Sequence, residues 1–404
     1  MNGKLWWVVL GVLFVLNAVL QRGALAVFVL VLALAAGSSA LWARYCLSNV
    51  AYRRRLGSHQ LAYGEETTLA LEFINAKPLP LAWLLVRDRF PHKVDLLTGR
   101  VRSGLAQQAT WLVNMVSLRW YERVTRTHRI VGIRRGVFDF GPAEISSGDV
   151  FGFRRRERED EAVTTLVVYP KIVPVSELGI TPGRPMGEWL ARRRVIEDPL
   201  RLAMVRDYAP GDNPRYIHWK ASAHTGSLQS KVFDPSDTLS LTIAVDVQTC
   251  PHAFEYVPEY LEFVLSAAGS LAIHALGERY MVGLCANAFG REGQLWVQIR
   301  PGRHPQQASQ LLEMLAAVQP FRGAPFGDML YELPSGLPFG ATVVAISAMP
   351  QEATYEALAV LEASGHPTML LTVGEAAPDV PEGLHTYHLG GRDAWQHWEA
   401  LGLA

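Results

Sequence analysis

The chain has 404 residues and a formal net charge of zero at pH 7, and 49% of its residues are hydrophobic. That length allows two or three domains, and the apolar content excludes a largely disordered protein. The three cysteines are odd in number and widely separated, which excludes a disulfide framework and gives no support for a structural zinc site.

Two long apolar segments at the start of the chain predict a membrane-spanning hairpin. They are Leu5–Leu20 and Ala24–Ala43, and only the tripeptide QRG separates them. A single helix through both would place Arg22 in the middle of the bilayer, where a charge is costly. We therefore expect two spanning helices within residues 1–45, too long together for a cleaved signal peptide. Basic residues are more frequent beyond the outer ends than in the turn, which predicts that both ends lie in the cytoplasm.

Residues 50–170 predict an antiparallel β-sandwich. Segments rich in β-branched and aromatic residues recur at short spacing, with turn-forming residues between them. The predicted strands lie in Thr67–Asn75, Leu81–Pro91, Ala109–Leu118, Arg123–Ile133 and Thr164–Pro170. The charge run Arg154–Asp160 is expected at a solvated hairpin tip. Residues 171–235 follow as a connector, and prolines argue against long regular structure in its first part, residues 171–205.

The segment RDYAPGDNPRYIHWKASAHTGSLQSK, residues 206–231, concentrates charged and aromatic side chains within the connector. Its APGD sequence predicts a tight turn, because proline fixes one backbone dihedral and glycine permits a positive φ. A short helix is expected next, with Asp212 or Asn213 as its N-cap, Pro214 in its first position and Gly226 at its end.

Two interpretations of this segment stay open, catalysis and a rigid clasp or docking surface. His218, Ser222 and His224 supply a base and a nucleophile, but no nucleophile elbow accompanies them, and the two histidines do not share one helical face. Ion pairs between its arginines and aspartates are an equally available use of its charges. We favour the clasp or docking surface, in which Arg215, Trp219 and Lys220 are the residues that would contact a partner.

Residues 236–404 alternate between apolar strands and amphipathic helices. The strands are predicted at Leu239–Val247, Arg279–Asn287, Gln294–Arg300, Ala341–Met349 and Pro367–Gly374, and the helices at Phe254–Leu276, His304–Gln319 and Gln351–Gly365. Continuous apolar strands alternating with helices are typical of a doubly wound α/β sheet that helices cover on both faces.

Ligands of such sheets bind beyond the carboxyl ends of the strands, and here the first of these ends carries Asp246, Gln248 and Cys250. A von Willebrand factor A domain has an Asp-x-Ser-x-Ser magnesium site at this place. Gln248 and Cys250 replace its two serines, and Ser347 stands where an aspartate often helps to hold the metal. Because a thiol is a poor ligand for magnesium, we expect a degenerate position with no metal and no cofactor.

The 206–231 segment resembles the signature of the bacterial "domain of unknown function 58" family. The residues that keep the family's spacing are Arg206, Tyr208, Gly211, Asp212, Arg215, Ile217, Trp219, Ala223, Gly226 and Leu228, followed by Lys231 and Phe233. The resemblance implies a membrane-anchored protein with a von Willebrand factor A-like, Rossmann-type α/β domain. It also implies an association with MoxR-type AAA+ ATPases and other membrane proteins, and it brings no established enzymatic activity.

Charge divides the chain unevenly. Residues 1–235 hold 32 Lys and Arg against 20 Asp and Glu, whereas residues 236–404 hold 6 against 18. We expect the basic part to lie near anionic lipid and the acidic part to face a partner, with no role in nucleic-acid binding. The predicted function is a non-enzymatic adaptor of the inner membrane that works with a MoxR-type AAA+ ATPase. The alternatives are a hydrolase that uses the His and Ser groups of residues 206–231, and a metal-dependent protein-binding module.

Overall fold

The structure is a computed structural model that describes residues 11, 23–97, 101–103, 110–150, 154–178, 197–209, 212–235, 239–252, 255–290, 293–338 and 340–401. The chain divides into two compact units, Met1–Tyr169 and Pro170–Ala404. The first unit holds an apolar helix and a set of antiparallel β-sheets. The second holds a two-stranded hairpin and a mixed α/β sheet.

Helix α1 (Gly23–Tyr45) contains the second predicted spanning segment. Its residues Ala26–Tyr45 are long and apolar enough to cross a membrane, and only 17% of this stretch is buried. Pro258–Gly277 passes the same test of length and composition, but it is mostly buried as a core helix of the second unit. Apart from residue 11, the first predicted spanning segment, Leu5–Leu20, lies outside the described residues.

Strands make up most of the rest of the first unit. They are β1 (Val50–Leu56), β2 (Gln60–Leu61), β3 (Glu66–Asn75), β4 (Leu81–Phe90), β5 (Asp95–Leu96), β6 (Val101–Ser103), β7 (Thr110–Leu118), β8 (Arg123–Val131), β9 (Gly136–Phe140), β10 (Ala143–Gly148), β11 (Arg155–Asp160) and β12 (Thr164–Val168). They pair in the orders β1-β3-β8-β5, β11-β10-β4-β7-β6 and β2-β12-β9. All of these pairings are antiparallel apart from the short β2–β12 pair, so the sandwich-like arrangement of antiparallel sheets is confirmed.

Alternation along the strands builds the core of the first unit. Leu69, Leu71 and Phe73 point to the same side of β3 and are fully buried, and Leu84 and Val86 do the same on β4. The charge run that was expected at a hairpin tip instead forms β11, which pairs with β10 at the edge of the five-stranded sheet. Charged side chains suit an edge strand because they oppose further pairing with another chain.

The second unit begins with an antiparallel hairpin and continues as a mixed sheet with helices. Its elements are β13 (Glu197–Asp207), α2 (Trp219–Thr225), β14 (Gln229–Pro235), β15 (Ser240–Val245), α3 (Pro258–Gly277), β16 (Met281–Ala286), β17 (Val297–Gly302), α4 (Gln307–Ala317), α5 (Phe326–Glu332), β18 (Thr342–Ser347), α6 (Glu352–Ala363), β19 (Thr368–Val373), β20 (Thr386–Gly390) and α7 (Arg392–Leu401). Strand β13 has eleven residues, so the prediction that the connector lacks long regular structure is wrong there.

The mixed sheet has the strand order β17-β16-β15-β18-β19-β20. Strand β17 is antiparallel to β16, and the other neighbours are parallel, so an α/β sheet is confirmed but not a purely parallel one. One core cluster joins the sheet to α3, α4 and α7, and another joins it to α5 and α6, which places helices on both faces. The chain leaves β15 toward β16 on one side and later returns to β18 on the other, so the strand order reverses at the carboxyl end of β15.

Candidate functional site

The signature segment closes the hairpin of β13 and β14. Arg206 pairs with Ser230 and Asp207 with Gln229 in antiparallel register, and the Gln229 side chain donates to the Asp207 carboxylate at 2.5 Å. Beyond the last strand pair, the Tyr208 amide donates to the carbonyl of residue 228 at 2.8 Å. The hairpin ladder therefore fixes both ends of the segment.

Asp212 organises the turn that follows β13. One of its oxygens accepts from the Arg206 guanidinium at 2.6 Å, and the other accepts from the Ala209 amide at 2.9 Å. The Tyr208 hydroxyl donates to the Asp212 carbonyl at 3.1 Å. The hydrogen bond from Arg206, together with that from Ala209, holds the pKa of the Asp212 carboxyl below its usual range. Gly211, the turn glycine of the signature, lies outside the described residues.

The single short helix predicted after this turn is wrong, because the structure has two pieces there. Asn213 caps a 3-10 turn, Pro214–Tyr216, by accepting from the Arg215 amide at 3.1 Å. Ile217 is then extended and pairs with Ser230 of β14, and α2 begins only after it. The pairing of Ile217 with β14 interrupts the helix. Residues that would lie on one face of a continuous helix are therefore divided between the 3-10 turn and α2.

Two residues of the hydrolase alternative, His218 and Ser222, hydrogen-bond to the backbone around α2, and His218 is its N-cap. The His218 Nδ1 accepts from the Ala221 amide at 3.0 Å. The Ser222 hydroxyl donates to the His218 carbonyl at 3.1 Å and accepts from the Gln229 amide at 2.8 Å. Gly226 ends the helix with a φ of 69°. The hydroxyl is therefore bonded to backbone groups, and the ring nitrogen that faces α2 is already an acceptor.

Several signature residues are exposed. Trp219 is 68% exposed at the start of α2, and Arg215 and Lys220 beside it in sequence are also exposed. Leu228, after the helix, is 49% exposed, whereas Lys231 is half-buried on β14. The segment thus combines a turn and a helix held by hydrogen bonds with an exposed surface formed by Arg215, Trp219 and Lys220.

A second polar cluster lies at the carboxyl ends of three adjacent parallel strands. Asp246 follows β15 and is almost fully buried. Its Oδ1 accepts from the Asn287 amide group at 2.9 Å and from the Gln248 backbone amide at 3.0 Å, and its Oδ2 accepts from the Ser347 hydroxyl at 2.7 Å. Burial is the main cause that raises the pKa of Asp246 to about 6, and these hydrogen bonds limit the rise.

Arg322 hydrogen-bonds to this cluster through the side chain of Gln248. Its Nη1 donates to the Gln248 Oε1 at 2.5 Å, and the Gln248 Nε2 donates to the Cys250 carbonyl at 3.1 Å. The Cys250 thiol donates to the Glu255 carbonyl at 2.9 Å. These residues do not fit a magnesium ion, since both Asp246 oxygens and the Gln248 carbonyl already accept, and a thiol is a soft ligand. Within the described residues, no three His, Cys, Asp or Glu side chains form a group that could hold a metal ion.

Sequence reasoning found Asp246 and Ser347 but missed Asn287 and Arg322. Asn287 directly follows β16, so the strand-end rule that selected Asp246 would also have selected it. Arg322 reaches the cluster from the loop between α4 and α5, where its backbone forms a bridge with Ala288. No sequence pattern indicated that loop contact.

The family comparison matches the part of the chain that carries both clusters. Residues 204–374 match the family described as "Protein of unknown function DUF58". The chain is also similar to the uncharacterized protein YeaD of Bacillus subtilis (strain 168), with 27% identity over 226 residues. That match covers 54% of this chain and 52% of the relative, so the chain matches about half the length of that relative.

Solved structures resemble a smaller part of the chain. A CARDB domain from Pyrococcus furiosus is 9% identical over 30% of this chain and 91% of its own, with a TM-score of 0.21. A cohesin module from Clostridium perfringens is 9% identical over 30% of this chain and 96% of its own, with a TM-score of 0.20. A type I cohesin from Pseudobacteroides cellulosolvens is 11% identical over 31% and 95%, with a TM-score of 0.21. At these TM-scores the similarity says nothing about activity.

Proposed function

Because the chain belongs to the DUF58 family through residues 204–374, and the family's function is unknown, we propose a function from the site itself: a non-enzymatic adaptor anchored in the bacterial inner membrane. Helix α1 supplies the anchor, and the hairpin of β13 and β14 supplies the docking surface. In this proposal the soluble parts lie in the cytoplasm, and the partner is a MoxR-type AAA+ ATPase.

The exposed Trp219 is the observation that carries the docking role. An indole group that is 68% exposed, on a helix held by caps at both ends, contributes little to the stability of its own fold. Tryptophan and arginine are the residues most enriched at the energetic centres of protein interfaces. Rigid aromatic side chains also bind with little loss of conformational entropy, and the caps of α2 provide that rigidity.

Charge favours a partner with an acidic surface at this patch. Arg215 and Lys220 are exposed on either side of Trp219 in the sequence. Complementary charges raise the rate of encounter and select among partners. Residues 236–404 carry a net charge of −12, so the positive charge of the hairpin patch is opposite to the net charge of the sequence that follows it. An acidic partner would therefore be steered to the hairpin.

The mixed sheet is proposed to be a von Willebrand factor A-like, Rossmann-type domain that has lost its metal chemistry. The support is the position of Asp246, Asn287 and Ser347 at the point where the strand order reverses, which is where such sheets bind ligands. The Arg322 guanidinium is hydrogen-bonded to this cluster through Gln248. Binding there would therefore use a guanidinium and amides rather than a divalent ion.

Co-purification from native membranes after crosslinking tests the adaptor role. The full chain carrying Arg215→Ala and Trp219→Ala is compared with the wild type, and the ATPase is quantified by mass spectrometry. We expect at least about a tenfold loss of ATPase, because truncation of two central interface residues typically costs 2 kcal/mol or more.

The matched control changes an exposed arginine and an exposed apolar residue elsewhere in the same unit. Arg300→Ala with Leu295→Ala removes an arginine and a large apolar side chain outside the hairpin and should leave recovery unchanged. Recovery of the ATPase at wild-type levels with the Arg215→Ala, Trp219→Ala chain would exclude the hairpin as its docking surface. The absence of any such ATPase from wild-type membranes would exclude the partner.

A further inference from the structure

The turn between β7 and β8 lies at the end of the first unit where α1 ends. Four residues separate α1 from strand β1, whose first residue, Val50, pairs with Asn75, the last residue of β3. Ile74 pairs in turn with Arg123, the first residue of β8. The β7–β8 turn, residues 119–122, therefore lies at the same end of the sheets as the carboxyl end of α1.

Backbone hydrogen bonds hold this turn in place. The Asn75 side chain donates to the Arg119 carbonyl at 2.7 Å, and the Asn75 amide donates to the Glu122 carbonyl at 2.9 Å. The Tyr121 amide donates to the Lys77 carbonyl at 3.2 Å. The Glu122 carboxylate accepts from the Arg119 amide at 2.5 Å, so the one acidic side chain of the turn is engaged within it.

Lys77 also connects the turn to the end of α1. Its ammonium group donates to the Cys46 carbonyl at 2.7 Å and to the Ser48 carbonyl at 2.9 Å, directly after the helix. Further back in α1, the Ser39 hydroxyl donates to the buried Asp149 carboxylate at 2.8 Å. One network of hydrogen bonds thus joins the last turns of α1 to the β7–β8 turn.

The turn carries two large aromatic side chains that do not pack in the core of the first unit. Trp120 is 67% exposed and Tyr121 is 70% exposed. Arg119 and Arg123 flank them and are exposed, as is Arg44 near the end of α1. Before that end, α1 exposes apolar side chains, and Leu34 is 65% exposed.

We propose that Trp120 and Tyr121 insert into the headgroup region of the membrane that α1 enters, and that Arg119 and Arg123 bind its anionic phospholipids. Tryptophan and tyrosine are enriched at this depth because one end of each ring is apolar and the other is polar. Arginines near an anionic surface are attracted to it, and salt screens that attraction. The inference rests on the membrane anchor of the proposed function.

A lipid occupant fits this patch better than a protein does, because the patch lies at the end of the first unit from which the exposed apolar side chains of α1 extend. Two aromatic side chains are also a small area for a stable protein interface, which buries about 800 Å² on each partner. For a membrane contact they are sufficient, since α1 already holds the turn close to the lipid surface and the turn supplies only a second point of contact.

Spin-label accessibility in vesicles tests the inference on the full chain. A nitroxide is attached at Tyr121→Cys in a Cys250→Ser background, because the other cysteines, Cys46 and Cys285, are fully buried. The protein is reconstituted into phosphatidylcholine vesicles with and without phosphatidylglycerol. Collisions with oxygen, which concentrates in lipid, and with a water-soluble nickel chelate are then measured.

Two reference positions calibrate the label. Leu34→Cys reports on α1, and Leu97→Cys is an exposed position whose backbone bonds to Arg129, near the far end of β8. We expect the label at position 121 to collide with nickel several times less often than the label at 97, and less often still when phosphatidylglycerol is present. Adding Trp120→Ala should raise its nickel collisions.

The possible outcomes distinguish failure of this inference from failure of the proposed membrane anchor. A label that contacts lipid at position 34 but is as open to nickel at 121 as at 97 overturns the inference and leaves the anchor standing. A label that contacts water at position 34 overturns the anchor. Shielding of position 121 from both reagents would mean that protein covers the turn, which would also overturn the inference. Equal values in both lipid mixtures would overturn the assignment to anionic headgroups.

Discussion

Asp246 shows how a single buried carboxylate makes stability depend on pH. Burial raises its pKa to about 6, whereas an aspartate in the unfolded chain titrates near 3.8. Between these values the folded protein holds a proton that the unfolded chain has released. The free energy of unfolding therefore decreases as the pH rises through this window, and it is constant with respect to this group above it.

We predict that Asp246→Asn removes this dependence. The amide keeps an oxygen that can accept from Asn287 and Gln248, and it has no proton to lose. Wild-type protein in detergent should lose about 2 kcal/mol of stability between pH 4 and pH 6.5, and the variant should lose much less, as followed by thermal unfolding. The exposed Asp379→Asn is the control and should keep the wild-type slope. An unchanged slope in Asp246→Asn would assign the dependence to other groups.

At the scale of the elements, the end of α2 was readable from the sequence but its start was not, because the predicted N-cap, Asp212 or Asn213, precedes α2 and His218 caps it instead. Gly226 at the end of the helix follows from local chemistry, since its φ of 69° favours glycine. The break before α2 results from the pairing of Ile217 with Ser230, which is a contact between strands. Helix propensity carries no information about such a contact, so the sequence predicts one helix where there are two pieces.

Gly226→Ala should weaken α2 through backbone strain alone. A Cβ at this position would meet nothing within 4 Å, so the cost is that of a left-handed conformation, about 1 kcal/mol. Hydrogen exchange of the α2 amides should then become about fivefold faster. Gly277→Ala at the end of α3 is the control, because it too has open space but no positive φ, and it should be neutral. Equal effects of the two substitutions would contradict this account.

The same limit applies to the elements of the mixed sheet. The long helices and the apolar strands β15, β16, β18 and β19 follow from hydrophobic pattern, within a few residues at their ends. Pattern did not indicate the direction of β17, which depends on its partner rather than on its own residues. It also missed α5, β20 and α7, because α5 and β20 have only seven and five residues and α7 follows β20 almost directly.

At the scale of the whole molecule, the structure predicts that the first unit keeps its fold without the apolar part of α1. Ser39 donates to Asp149 beside β10, whereas most side chains of residues 26–37 are apolar and exposed or half-buried. A chain that begins at Ser38 should therefore fold and leave the membrane fraction at high salt, where the attraction of its basic surface is screened. Sedimentation with vesicles measures this, with the full chain as the control that stays bound. Retention of the shortened chain at high salt would show that α1 is not the main anchor.

Hydrogen bonds from Ser39 to Asp149 and from Lys77 to the end of α1 join the helix to the β-sheets, so that we expect them to move together. A spanning helix tilts to match its apolar length to the thickness of the bilayer. A ten-residue strand is about 33 Å long, so a change in tilt of about 10° displaces the far end of the sheets by about 6 Å. If α1 spans the membrane as proposed, a change in membrane thickness would therefore move the far end of the sheets relative to the lipid surface.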